Sequence, residues 1–563
     1  MTSNNPLRIA IIGGVAAGAK TAAKARREDP HAEITIYTEE AYISYAGCGE
    51  PYYIGGEVSD REQLLQRSPQ DFLREHQIVV KPLHRVTKIR AQEKKIDVLN
   101  IQENHTFTVE FDVLVIATGA SSIIPKLPGV ALPGVFKLRT IPDTDAIREK
   151  VDSGTVQNAV VVGGGYIGLE MIEQLTHRGI AVTCVERMEQ LAPPYDSDVA
   201  HEVKMVLENH GVKVMLNSAL EEIIGSAEEG VRAVKVAGQE IATDMVLLSV
   251  GIRPNVELAR EAGIEIGPTG AIRVNEYLQT NYPYIYAAGD CSEMVNRVTG
   301  KPVWVALGST ANRQGRVLGI NVTGGQEKFP GIVGTSIFRV FDLNVAGTGL
   351  IEREARKQGY DIEVAVVPQT DKPGYMPGAK SVIVKLIAEK STQRLLGAEV
   401  WGPGNVDKVI DTLATALVFN ATITDLTQLD LAYAPPFAPA LGNAIVAANV
   451  LQNKLEKRTE GILPTEVLKK SDTEDEFIFL DVRNPQELKQ ICLNSTVNIP
   501  LPELNERYEE LPKDREIITS CGVGLRASRA QRLLKSKGFS NVRYMDGGIR
   551  TWQAPKKGPA SDG

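Results

Sequence analysis

One pattern constrains this chain more than any other: a short apolar strand, a glycine-rich turn and a helix, occurring twice. Residues 7–14 read LRIAIIGG, a helical stretch runs to about Asp29, and a second strand covers Ile34–Tyr37. The pattern returns at 159–187 as AVVVGGGYIGLEMIEQLTHRG followed by AVTCVER. Each is a βαβ opening, with glycines where the strand turns into the helix. Two such units in series point to two dinucleotides, because backbone N–H groups at a helix N-terminus are a natural cradle for a pyrophosphate.

The chain has 563 residues, which at about 100–200 residues per domain argues for three or four domains. Lys+Arg number 62 against 70 Asp+Glu, a net charge of −8, which disfavours a protein built around nucleic acid. No apolar run is long enough to cross a membrane. Ile9–Ala19 could pass for a signal-peptide core, but it lacks a basic start and its glycines fit a strand and turn. The expected setting is cytoplasmic, with neither membrane nor nucleic acid as partner.

The five cysteines are Cys48, Cys184, Cys291, Cys492 and Cys521, and no two form a CxxC pair or a zinc knuckle. All seven histidines lie at or before His210. No metal site is expected, and any sulfur chemistry rests on isolated thiols. Cys184 and Cys492 read as packing residues, and Cys291 suggests no chemistry.

The fold class expected is α/β: two Rossmann-like dinucleotide-binding domains, an α+β dimerisation domain and a C-terminal α/β domain. The expected boundaries are 1–150 with 255–325 and 151–254 for the dinucleotide domains. The α+β module follows at 326–450, where GTSIFRVFDLNVAGTGL and SVIVKLIAE alternate like antiparallel strands. The polar stretch 451–470 reads as a linker. From 471 to 563 the strand–helix alternation restarts in FIFLDVR, EIITSCG and VRYMDGG.

In the first glycine turn, Gly13, Gly14, Ala16 and Gly18 match GxGxxG only in part, because Val15 stands where a second glycine is usual. Two later segments, VLVIATGASSIIP with Thr118-Gly119 and IYAAGDCSE with Gly289-Asp290, complete a set. Together they resemble the flavin-contacting segments of the FAD/NAD(P)H disulfide reductases. That resemblance implies FAD, with Asp290 on its ribityl chain. Glu39, next to Thr38 at the end of the second strand, is the candidate for the adenosine ribose. The second turn, Gly163-Gly164-Gly165-Tyr166-Ile167-Gly168, satisfies GxGxxG fully, and its next strand ends in Glu186, 18 residues after Gly168. A carboxylate there accepts from ribose hydroxyls and repels a 2′-phosphate, which favours NADH. Arg187 beside it leaves NADPH open. Gly251 completes the expected nicotinamide-nucleotide set.

Cys48 lies in SYAGCGEPY. The dithiol CxxxxC of classical disulfide reductases is unavailable, because Ile43 stands at the partner position. The motif SxxxCxxP resembles the single-cysteine branch: coenzyme A-disulfide reductases, NADH peroxidases and NADH oxidases. Peroxidases and water-forming oxidases carry a histidine in the first glycine turn; here Ala16 matches it, so no local histidine is expected to act as acid. The coenzyme A branch uses tyrosines instead. GYMPGA with Tyr375 and LAYAPP with Tyr433 resemble its two tyrosine segments, although Met376 replaces a common second tyrosine. In the family these reach the partner subunit's cysteine, which implies a homodimer. Lys20, Lys24 and Arg27 are spaced along one helical face and match positions that face the phosphates of coenzyme A (CoA) in that branch. Ser44 falls near the same thiol. Gly47 replaces an asparagine common in the family.

Cys521 begins CGVGLRAS between a strand and a helix, a loop whose successive N–H groups form a nest for a thiolate or persulfide. A phosphatase loop looks similar but needs one more residue before its arginine. With Asp481-Val482-Arg483, Ile499-Pro500 and DGGIRTW at 546–552, the segment resembles a single-domain rhodanese, in which Arg526 helps hold the anion.

The whole chain is therefore similar to a coenzyme A-disulfide reductase fused to a rhodanese, the arrangement of NADH-dependent persulfide reductases. The implied activity is FAD-dependent reduction of CoA persulfide, polysulfide or CoA disulfide by NADH, with sulfide as a product. Three alternatives stay open: a CoA-disulfide reductase whose rhodanese only senses or stores sulfur, a rhodanese that serves as a binding module, and, third, an NADH oxidase or peroxidase.

Overall fold

A computed structural model describes residues 5–472, 477–489 and 496–552. The chain divides into two compact units, residues 1–191 with 207–332, and residues 192–206 with 333–563.

The first unit holds two five-stranded parallel sheets with the same logic. In one, the order is Ile285–Ala287, Val113–Ile116, Arg8–Ile12, Glu33–Tyr37, Val79–Lys81. In the other it is Lys213–Met215, Ala181–Val185, Asn158–Val162, Met245–Leu248, Val135–Phe136. The central strands RIAII and NAVVV are rich in β-branched residues and covered on both faces, as parallel sheets require. Each central strand runs into its glycine turn at the point where strand order reverses, the position at which open α/β sheets bind ligands. The repeat legible in the sequence is thus a repeat in space. Each sheet also has a three-stranded antiparallel companion that the pattern did not announce: His84–Arg90, Lys95–Asn100, His105–Glu110 in one case, and Leu220–Ser226, Gly230–Val236, Gln239–Ala242 in the other.

The second unit contains the expected antiparallel strands, paired in one five-stranded sheet. Its strand order is Ser336–Val340, Leu343–Gly349, Leu395–Gly402, Ser381–Glu389, Ile362–Thr370. Helices Val406–Val418 and Asn443–Leu455 pack on it. Buried Lys385 on this sheet gathers Asp196 at 3.0 Å, Asp198 at 3.1 Å and Glu352 at 3.2 Å. Burial pushes the nearby Glu399 carboxyl well above its ordinary value. Asp196, Asp198 and Glu399 are spaced like metal ligands, but the lysine ammonium already occupies the place of a cation.

A parallel sheet follows, ordered Gly461–Ile462, Val542–Met545, Glu516–Ser520, Phe477–Asp481, Thr496–Asn498. It corrects the linker reading of 451–470. Helix Asn443–Leu455 enters that stretch, Gly461–Ile462 pairs with Val542–Met545, and helix Pro464–Asp472 follows. Ile462, Leu463 and Val467 are buried, three apolar anchors in a stretch whose average composition is polar. Among the described residues no helix is long and apolar enough to cross a membrane.

Candidate active site

Both glycine turns bring two backbones into near contact. A Cβ on Gly13 (φ +102°) would lie 2.2 Å from the Ala117 carbonyl, and one on Gly163 (φ +108°) 2.1 Å from that of Ser249. Gly18 and Gly168 repeat the equivalence one helical turn later, each against the carbonyl of its own first glycine at 2.0 Å. Helices Ala17–Glu28 and Tyr166–His177 start there without a side-chain cap. A Cβ on Gly165, the residue before the second helix, would meet nothing within 4 Å, so the helix start is open on that side. The donor set fits a dinucleotide at each turn, despite Val15 in the first.

At the first turn, Gly289 donates its N–H to Gln314 (2.7 Å) and Thr118 its hydroxyl to the Asn255 carbonyl (2.7 Å). Gly119 adopts φ +66° nearby. Asp290 pairs with Arg139 at 2.9 Å, a partner the sequence did not suggest, while Trp304 donates to the Asp290 carbonyl (2.8 Å). Glu39 points to solvent on Arg85, 2.7 Å away, and Thr38 is the buried side chain at the strand end. At the second turn, half-buried Tyr166 and Ile167 open the helix. Buried Glu186 accepts from the Gly164 N–H (2.7 Å) and the Met188 N–H (2.8 Å), so it orders the turn. Gly251 has φ +111°.

Ser44 and Cys48 are carried to the first turn by a strained loop. Ser44 has φ +48°, a left-handed conformation uncommon for a residue with a Cβ. It is held by its N–H on the Gly14 carbonyl (2.9 Å) and by its own carbonyl accepting from Gln66 (2.9 Å). Cys48 is exposed, in the turn Gly47–Gly49 before helix Glu50–Gly55, which has Pro51 in its first turn. Partial removal from water pushes its thiol up, Glu170, Glu50 and Asp290 add to this, and Arg139 opposes it. Glu50 was not anticipated. It is 3% exposed, one carboxyl oxygen has no hydrogen-bond partner, and burial raises it to about 8. Tyr45 donates to Glu40 (2.9 Å) in the same neighbourhood.

A cavity of about 230 Å³ lies beside this loop. Lys20, Arg27, Ser44, Arg67, His76 and Asn312 supply its polar lining, and no carboxylate lines it. Of the helical face predicted from spacing, Lys20 and Arg27 line the cavity, whereas Lys24 pairs with Glu28 and lies outside the lining. Arg67 and His76 were missed because they come from another segment: Arg67 just precedes helix Pro69–His76 and His76 ends it, although Ser68 and Asp71 form a capping box there that sequence alone could have revealed. The same helix corrects the expectation of no local histidine. His76 and Ala16 line one cavity, with Arg67 Nη1 3.3 Å from His76 Nε2.

Cys521, in the second unit, is 1% exposed. Its Sγ accepts from the Gly524 N–H (3.2 Å) and the Ala527 N–H (3.4 Å), the expected nest. Arg526 is engaged by Glu487 through two bonds of 2.6 and 2.7 Å, and that pairing holds the Glu487 carboxyl down at about 2. Tyr375 and Tyr433 are 73% and 51% exposed in the single chain. Of the remaining cysteines, Cys184 is core and is pushed up to about 12 by burial, while buried Cys291 donates to the carbonyls of Ala288 (3.3 Å) and Ile116 (3.5 Å). Cys492 lies outside the described residues.

Comparison with known proteins agrees with this geometry. The profile of the pyridine nucleotide-disulphide oxidoreductase family matches residues 7–315, that of its dimerisation domain 335–445, and that of the rhodanese-like domain 463–555. A CoA-dependent NAD(P)H sulfur oxidoreductase from Pyrococcus abyssi is 38% identical over 450 residues, 79% of this chain and 98% of its own length. The crystal structure of reduced Bacillus anthracis CoADR-RHD superposes with a TM-score of 0.93 at 37% identity, covering 97% of this chain and 98% of that one. An NAD-dependent persulfide reductase from A. fulgidus gives 0.91 at 39% identity, covering 97% and 100%. The chain belongs to the pyridine nucleotide-disulphide oxidoreductase family and carries, after that family's dimerisation domain, a rhodanese-like domain.

Proposed function

We propose that the chain is an FAD-dependent reductase that uses NADH to reduce CoA persulfide, polysulfide or CoA disulfide at Cys48. The observation that carries this reading is the basic cavity. Lys20, Arg27, Arg67 and His76 face one space beside the Cys48 loop, as an anionic, phosphate-bearing thiol carrier requires. FAD, when bound, passes electrons from the nicotinamide nucleotide to sulfur. The first turn, Thr118-Gly119 and Gly289-Asp290 would hold FAD; the second turn with Glu186 would hold NADH.

Cys48 does the covalent work. Its thiolate attacks the CoA-bound sulfur of a CoA persulfide, forming Cys48–S–S–CoA and releasing HS⁻. Two electrons and one proton then return the Cys48 thiolate and free CoA. Tyr375 and Tyr433 supply that proton and polarise the leaving sulfur across the interface of a homodimer. Cys521 takes or gives sulfane sulfur. The free thiols suit a reducing, cytoplasmic setting.

A second reading has its own support. Cys521 is almost fully covered and Arg526 is occupied by Glu487, which favours a rhodanese domain that senses or stores sulfur. Initial rates of NADH oxidation with CoA persulfide, CoA disulfide, polysulfide and oxygen, measured side by side, test both. The main reading expects the CoA persulfide and polysulfide rates to dominate and oxygen to be slowest; a dominant oxygen rate overturns it. Replacing Lys20 and Arg27 by Ala is expected to raise KM for CoA substrates about tenfold each, with little change for polysulfide.

A further inference from the structure

The segment that closes the Cys521 loop is gripped from outside its own sheet. Lys454 stands near the end of helix Asn443–Leu455, which packs on the antiparallel sheet, and its side chain is only 4% exposed. Its ammonium meets Asp546 Oδ2 at 2.7 Å and Glu363 Oε1 at 3.1 Å, and donates also to the Val364 carbonyl. Glu363 and Val364 belong to strand Ile362–Thr370 of the antiparallel sheet, whereas Asp546 follows strand Val542–Met545 of the parallel one. The approach is tight. A Cβ on Gly461 would lie 2.4 Å from Asp546 Oδ1 and 2.9 Å from Lys454 Nζ, so only glycine leaves room for the pair.

From Asp546 the chain runs directly into the second wall of the Cys521 loop. A Cβ on Gly548 (φ +57°) would meet the Cys521 carbonyl at 2.2 Å and the N–H nitrogen of Gly524 at 2.9 Å. Ile549 donates to the Cys521 carbonyl (2.9 Å) and Arg550 to that of Gly522 (3.0 Å). The Gly524 N–H is itself one of the two donors to Cys521 Sγ. Arg550 also reaches Ser381 of the antiparallel sheet at 3.4 Å.

We propose that Lys454 is a positioning residue for Cys521: by clamping Asp546 it fixes the Asp546–Arg550 wall, and with it the N–H nest that holds the sulfur, to the antiparallel module. The proposal rests on the reading that Cys521 handles sulfane sulfur. Physically, a fully desolvated ion pair makes poor glue, because much of its attraction is offset by desolvation, but it specifies one geometry strongly, and removal of one partner leaves an uncompensated buried charge.

The test uses the full-length holoenzyme, with thiosulfate as sulfane-sulfur donor and cyanide as acceptor. Lys454→Met is expected to lower kcat for sulfur transfer about tenfold while KM for thiosulfate changes less than about twofold. NADH-dependent reduction of CoA disulfide is expected to stay at the parent rate. Amide hydrogen exchange is expected to quicken at Gly524 and Ala527, with the strand Glu516–Ser520 unchanged. Lys454→Met combined with Asp546→Asn, which removes both charges, recovers part of kcat. A purely structural role would lower thermal stability and quicken exchange across the whole sheet with no kcat-selective loss, and that result overturns the proposal. Where Lys454→Met does not fold, Gly461→Ala, which crowds the same pair, is read by the same kcat and exchange measurements. Cys521→Ser separates the layers: transfer that survives it overturns the underlying reading, whereas transfer lost there but unmoved by Lys454→Met and Gly461→Ala overturns only the role of Lys454.

Discussion

Cys48 and Cys521 lie in contrasting surroundings. Cys48 is exposed, sits in a turn of three residues and faces the carboxyl groups of Glu50, Glu170 and Asp290. Cys521 is covered, closes a loop whose N–H groups point at its sulfur, and has its nearest arginine already paired. The first thiol lacks fixed donors of its own and suits chemistry in which bound partners supply the charge compensation. The second carries its compensation in the backbone and suits storage of an anionic sulfur. On the proposed reading, one chain separates electron delivery to sulfur at Cys48 from sulfur custody at Cys521, so the two should break independently.

The largest expected effect comes from removing each thiol in turn. Cys48→Ser lowers NADH-dependent reduction of CoA disulfide by about 10³-fold or more, whereas Cys521→Ser leaves that rate unchanged and removes sulfur transfer; parallel steady-state assays decide it. Next is the nest. Gly548→Ala forces a Cβ against the Cys521 carbonyl, 2.2 Å away, and is expected to cut thiosulfate turnover by at least about tenfold and to destabilise the parallel sheet by about 3 kcal/mol, measured by chemical unfolding.

The acidic side of Cys48 gives a pH signature. Glu50 binds its proton up to about 8 in the fold, well above its ordinary value, so the folded chain holds one more proton than the unfolded chain across that window. Stability therefore falls as pH rises from the ordinary carboxyl range to about 8 and levels off above it. Glu50→Gln removes that fall; melting curves from pH 5 to pH 9 are expected to diverge progressively from the parent's and then run parallel. The smallest effect is at Arg526. Glu487→Gln weakens its clamp and is expected to lower KM for thiosulfate about two- to threefold with kcat nearly unchanged.

Much of this was legible in the sequence because the chemistry needs local residue strings. The two glycine turns, SxxxCxxP around Cys48 and the loop after Cys521 are contiguous, and each lies where strand meets helix. What escaped was assembled from distant segments. Arg139 reaches Asp290 across 151 positions, and Arg67 and His76 join Lys20 only because the helix Pro69–His76 packs near the first turn. No local pattern encodes such encounters. Glu50 was visible but mute, since a glutamate beside a proline at a helix start is ordinary until its burial is known. Lys24 shows the opposite error: helical spacing names a face, yet its neighbour Glu28 decides where the ammonium goes. The stretch 451–470 was misjudged by averaging, which hid Ile462 and Val467 among lysines and glutamates.

The tight packing at Gly461 also bears on how such a fusion can be taken apart. Only residues 456–460 separate the helix ending at Leu455 from the strand starting at Gly461, and the lysine on that helix pairs with Asp546 beside the following sheet. A module boundary drawn through this stretch would cut a buried ion pair rather than a tether. Anyone grafting the C-terminal domain onto another reductase, or expressing it alone, inherits an orphaned Asp546 unless the lysine travels with it.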